Sequence, residues 1–208
     1  PFISLIISAV LSMALGILIE KIAYKPLRGA SSKLAVLITA IGVSYLLQNI
    51  ALLIFGSNPK SFTNIISWEG LSLAGGDIKI QGITIVTIVT SMVILIVLQL
   101  FIKKTKQGQA MLAVAEDNSA AALMGISVNG TIALTFAIGS MLAAVAGALM
   151  CSAYPSLTPY VGAMPGIKAF VAAVLGGIGS IPGAMVGGLV LGIIEIFSRS
   201  YISSQLAD

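Results

Sequence analysis

Groups able to do chemistry are scarce in this chain, and they are clustered. Residues 113–129 read AVAEDNSAAALMGISVN, with Glu116, Asp117, Asn118 and Ser119 side by side, then Ala120, Ala121 and Ala122, and Gly125 closing the run. There is no histidine and one cysteine, Cys151. No Cys/His metal cluster of the usual type and no Ser/His/Asp set can therefore form. GAMPGIK (162–168) has the wrong spacing for a GxxxxGK[ST] nucleotide loop. Catalysis, a bound metal and a cofactor are not expected, and Cys151, in an apolar run, reads as simple packing.

A second set of polar groups lies inside apolar runs. Glu195, in LGIIEIFSR, is an acid where lipid makes charge expensive, and such residues often mark a transport path. Arg199 stands four residues later, so i,i+4 pairing near the interface is the ready alternative. Lys168 follows Pro165-Gly166 and either snorkels to the surface or meets a substrate carboxylate. Gln48 and Asn49 hydrogen-bond between helices or touch a solute. Gly176 and Gly177 interrupt the last apolar region and are further pathway candidates.

Such groups need elements to hold them, and composition decides which. Of 208 residues, 58% are hydrophobic and 9% charged, and mean hydropathy is +1.08. Soluble domains carry about 25% charged residues, so this composition implies an integral membrane protein. The net charge of +4 is too small and scattered for nucleic-acid binding. A membrane helix needs about 20 mainly apolar residues. Regions 2–19, 34–55, 83–102 and 131–153 approach or meet this, and 168–198 is apolar but broken. Region 83–102 is rich in Ile and Val, but it is apolar on every side and too long for a membrane strand.

The broken region divides into 168–179, the length of a half-helix, a GSIPGA turn (179–184), and a second short helix over 184–198. Short, glycine-interrupted segments in sequence mark a transport path or two tilted, buried helices. The fold expected is all-α, a polytopic bundle with about six membrane segments, some short or broken.

Basic residues orient it. Connector 20–33 holds Lys21, Lys25, Arg28 and Lys33, and 103–130 holds Lys103, Lys104 and Lys106. These face inward, and 56–82 and 154–167 face outward. GLSLAGGDIKIQG (70–82) alternates around Gly75-Gly76-Asp77 and predicts a small outer β-hairpin. Gly139/Ala143, Ala143/Gly147, Gly183/Gly187 and Gly188/Gly192 stand four apart, which permits close helix packing. The chain starts at Pro1 without a basic n-region, so no signal peptide is read.

The central segment is helix-compatible from about Gln109 to Met124. It forms one bent helix or two short ones, with Asp117, Asn118 or Ser119 as cap and Gly125 in the left-handed conformation past the end. Small side chains, apolar tips at Leu123 and Met124, and fixed charges suit a piece inserted into a partner's groove; a solvated linker is the alternative.

EDNSAAALMGISVN resembles the cytoplasmic coupling segment of ATP-binding-cassette (ABC) importer permeases, with its Glu-Ala-Ala then Gly pattern. The stretches at 20–56 (EKIAYKPLRGASSKLAVLITAIGVSYLLQNIALLIFG), 139–150 and 168–195 resemble the permeases of the branched-chain amino acid (Liv-type) family. The resemblance covers nearly the whole chain. It implies a single transmembrane permease domain over 1–208, clipped at both ends, with a cytoplasmic coupling loop at 103–130. It implies a bacterial inner-membrane location, and as partners a second permease, two cytoplasmic ATPases, an external binding protein and membrane lipid. Glu116, Ala120, Ala121 and Gly125 match the coupling pattern, and Asp117 stands within it; Glu-Asp-Asn-Ser before the alanines departs from the family pattern. Related permeases carry urea, short amides or sugars. A secondary carrier or channel without ATPases and a non-transporting scaffold are rival readings.

Overall fold

Apolar runs of membrane length become helices because hydrocarbon offers no partner to a backbone amide, which must be satisfied within its own segment. The computed structural model describes residues 2–29, 33–61, 71–73 and 78–201. The helices are α1 (Phe2–Ile19), α2 (Lys33–Phe55), α3 (Gly82–Lys104), α4 (Lys106–Glu116), α5 (Asn118–Leu123), α6 (Val128–Ala153), α7 (Ala163–Leu175) and α8 (Ile181–Tyr201). Among the described residues five helices are long and apolar enough to cross a membrane, and α7 is a shorter apolar one. The chain is thus a polytopic all-α membrane protein. It divides into two compact units, residues 1–159 and 160–208.

In the first unit, α1 packs along α6. The two run antiparallel, with Gly16 against Ser140 and Tyr24 against Phe136. A Cβ at Gly16 would overlap the Ser140 hydroxyl, so this crossing depends on glycine. Apolar residues elsewhere on these helices, such as Ile3 and Leu11, remain exposed, as expected of surfaces meeting lipid or other subunits.

One boundary differs from the sequence expectation. Charges at Glu20 and Lys21 mark the end of the first apolar run, yet the chain stays helical. A π-helical turn, Glu20–Tyr24, and a 3-10 turn, Lys25–Gly29, extend the apolar span to Ile3–Leu27. Glu20 is 2% exposed and is not left unpaired. Packing against a neighbouring helix, which no hydropathy window sees, covers its charge. The Tyr24 ring stands 4.9 Å from that of Phe136 one turn further on.

The connectors expected outside are joined to each other. β1 (Lys60–Ser61) pairs antiparallel with β4 (Ser156–Leu157), with Lys60 opposite Leu157 and Ser61 opposite Ser156. Segments 56–61 and 154–157 of these connectors therefore lie on one side. The expected hairpin is present as β2 (Leu71–Leu73) against β3 (Ile78–Ile80), with Leu71 opposite Ile80; its turn lies outside the described residues.

In the second unit, α7 and α8 form an antiparallel hairpin. α7 has 13 residues and is about 20 Å long, short of the hydrocarbon thickness. The second helix is not short, as the sequence suggested: α8 has 21 residues. Pro182 does not break it, because proline in a first turn forfeits no intrahelical hydrogen bond. The turn falls instead at 176–180, where Gly177 and Gly179 have φ of +90° and +98°. Gly176 and Gly183 bring the two backbones into contact, and a Cβ at either would overlap the other's peptide. Gly187 lies as closely on the Ala172 carbonyl. Of the expected small pairs, Gly183/Gly187 thus mediates packing, whereas Gly139, Gly147 and Gly192 have open space at the Cβ position.

Candidate functional site

The polar segment forms a two-helix knob whose two inner joints are each built by a side chain. At the end of α3 the chain reverses at Thr105, which is extended (φ −102°, ψ 149°). Its hydroxyl donates to the Phe101 carbonyl at 2.7 Å and accepts from the Gly108 amide at 3.0 Å, closing one helix and opening the next. The Gln109 amide donates to the Lys103 carbonyl at 2.8 Å. Gly108 passes so close to the backbone of Phe101 and Ile102 that a side chain would collide with it. Sequence reading passed over Thr105 and Gly108. Their signal was present, as a hydroxyl at the junction of an apolar and a polar run with glycine three residues on.

A second joint separates α4 from α5. Asp117 is extended (φ −149°, ψ 112°), and its Oδ1 accepts from the Ser119 amide at 2.7 Å and the Ala120 amide at 3.2 Å. Of the three cap candidates, Asp117 does the capping, and of the two helix readings, two short helices form. Asp117→Ala should cost this cap about 1 kcal/mol. Amide exchange at Ser119 and Ala120 should then quicken about fivefold, the factor that this energy corresponds to. Unchanged exchange would refute the capping role.

The far end closes as expected. Gly125 has φ +80°. The Ile126 amide donates to the Ala121 carbonyl at 3.1 Å and the Gly125 amide to the Ala122 carbonyl at 3.0 Å. This double bond pattern is the Schellman motif, with Ile126 folded back on Ala121.

Exposure divides the predicted coupling residues. Glu116, Asp117, Ala120 and Gly125 face solvent. Ala121 is 3% exposed and Val114 8%, so these two anchor the knob. α4 and α5 both pack against α6. Leu123 and Met124 project at 89% and 83% exposure. These large apolar tips on a turn closed at both ends cost solvation without contributing to the core.

The predicted pathway residues do not gather around the knob. Gln48 donates to Ser44 Oγ at 3.3 Å and Asn49 to the Tyr45 carbonyl at 2.8 Å, so both amides bond back along α2 rather than between helices. Gly176 and Gly177 serve the α7–α8 turn. Glu195 Oε1 takes Lys168 Nζ at 3.0 Å and Arg199 Nη2 at 2.7 Å. The expected Arg199 pair is present; the Lys168 contact joins α7 to α8, and sequence spacing gave no hint of it. Among the described residues no group of acidic, His or Cys side chains could hold a metal ion.

A model of the family described as the branched-chain amino acid transport system permease component matches residues 1–208. The chain belongs to this permease family. The high-affinity branched-chain amino acid transport system permease protein LivH of Salmonella typhimurium is 43% identical over 201 residues, 96% of this chain and 65% of that protein. The corresponding protein BraD of Pseudomonas aeruginosa is 43% identical over 204 residues, 97% of this chain and 66% of its own length. This permease chain thus spans about 65% of the length of LivH. No solved structure matches it. Family membership accords with a transport role and a multi-pass membrane protein.

Proposed function

We propose that this chain is the membrane-spanning permease subunit of an ABC importer in a bacterial cytoplasmic membrane, passing branched-chain amino acids inward. In this reading a second permease completes the path, an external solute-binding protein delivers the substrate, and two cytoplasmic ATPases supply the energy. Residues 1–208 act as one permease domain, and 103–130 are its coupling loop. The α4–α5 knob seats in a cleft on an ATPase. Leu123 and Met124 fill the cleft, Glu116 and Asp117 meet its rim, exposed Ala120 permits close approach, and Gly125 holds the turn. Ala121 fastens α5 to the permease, so that a push on the knob reaches α6 and, through it, α1.

The observation that carries this reading is the rigid presentation of Leu123 and Met124 on a chain of the branched-chain permease family. The test is uptake by the complete transporter in proteoliposomes with its solute-binding protein, offered leucine, valine, urea and a sugar. ATP-dependent uptake of aliphatic amino acids is expected. Uptake of urea or sugar alone would reassign the substrate. Transport driven by an ion gradient without ATP would replace the importer with a secondary carrier.

A further inference from the structure

At the end of the first unit opposite the knob, a groove of about 380 Å³ lies between the end of α2 and β4. Its walls are apolar, from Ala51, Phe55, Leu157 and Pro159, and Asn58, Lys60 and Thr158 bring polar groups to it. Gly56, at φ +79°, ends α2 and turns the chain so that Lys60 returns over the helix end. The Lys60 ammonium stands 5.3 Å from the centre of the Phe55 ring, and Lys60 is paired in register with Leu157. One cation is thus fixed at an apolar slot of a size that suits small molecules.

We propose that this groove is an outer binding site for an aliphatic α-amino acid. Lys60 takes the carboxylate in a charge-assisted hydrogen bond. The Asn58 carbonyl and the Thr158 hydroxyl, both neutral acceptors, take the ammonium. Phe55, Leu157 and Pro159 enclose the aliphatic chain. The inference rests on the import function proposed above and extends it, since it gives the substrate its first contact on the permease. The chemistry of the slot selects for charge at one end and a branched hydrocarbon at the other. Neither a sugar nor urea offers that pair.

The test uses the complete transporter in proteoliposomes, in two parts. In a Cys151→Ser background, Ala51→Cys places a thiol on the groove wall and leaves the proposed carboxylate and ammonium contacts in place. Leucine should slow its labelling by a maleimide, and leucinol, which lacks the carboxylate, should not. Separately, with saturating binding protein, Lys60→Met should lower leucine uptake about tenfold, with Lys60→Arg close to native. Leu157→Trp narrows the slot and should shift the leucine-to-alanine uptake ratio about fivefold, which loss of stability alone would not do. Labelling indifferent to leucine, normal uptake by Lys60→Met, or an unchanged ratio in Leu157→Trp overturns the site. Weakened capture of the binding protein by Lys60→Met, with the ratio unchanged in Leu157→Trp, reassigns the groove as a protein docking surface. If the wild-type complex carries no amino acid, the import function fails and this inference fails with it; if it does, and leucine protects nothing, only the groove assignment is lost.

Discussion

Gly183→Leu should unfold the α7–α8 hairpin. The Cβ of residue 183 would fall on the carbonyl of Gly176, and a carbonyl in a helix end has no room to retreat. Overpacking of this kind, against backbone rather than a flexible side chain, should cost about 3 kcal/mol or more. For a chain of this length that lowers the melting temperature of the detergent-purified protein by about 10 °C. Uptake should be lost with it. Gly192→Leu is the control on the same helix, since nothing lies within 4 Å of its Cβ position. Its melting temperature should stay near native. Equal melting of the two variants would show that the Gly176–Gly183 contact does not hold the hairpin.

Gly125→Val should separate assembly from coupling. Residue 125 sits at φ +80° with open space around it, so a side chain meets no neighbour and the penalty is purely backbone. Left-handed conformation costs an L-residue about 1–2 kcal/mol, more when it is β-branched. The spans, held by their own hydrogen bonds, should insert normally. The turn carrying Leu123 and Met124 should leave its native position most of the time, and uptake should fall about tenfold while ATPase activity uncouples. Gly125→Asn, which tolerates this conformation, should retain most activity, with Gly125→Ala between the two. A valine variant with native uptake and native coupling would remove the knob from the mechanism.

Much of this was legible beforehand for a definite reason. Membrane helices are set by local hydropathy, so α2, α3 and α6 follow from their own residues. The two ends of α5 were equally local: an acid within reach of free amides and a glycine beyond the last turn determine a cap wherever they occur. The connector charges indicated which loops share a side, and the β1–β4 pairing agrees for 56–61 and 154–157.

What remained hidden depends on a second element arriving. Glu20 looks like the end of a span until its turn packs against α2 and α6, and Lys168 and Glu195 are unrelated until α7 and α8 lie antiparallel. Ala120 and Ala121 are identical in sequence, yet one faces solvent and the other is buried. Only packing against the body of the first unit distinguishes them. Gly139 and Gly183 likewise belong to the same four-residue pattern, but a backbone approaches only Gly183. The sequence by itself thus determined the spans α2, α3 and α6 and the two caps of α5, because those follow from interactions within a few residues. The tertiary structure alone decided which charges pair, which glycines are contacts and which alanines are surface, because each of these is a property of two segments distant in the chain.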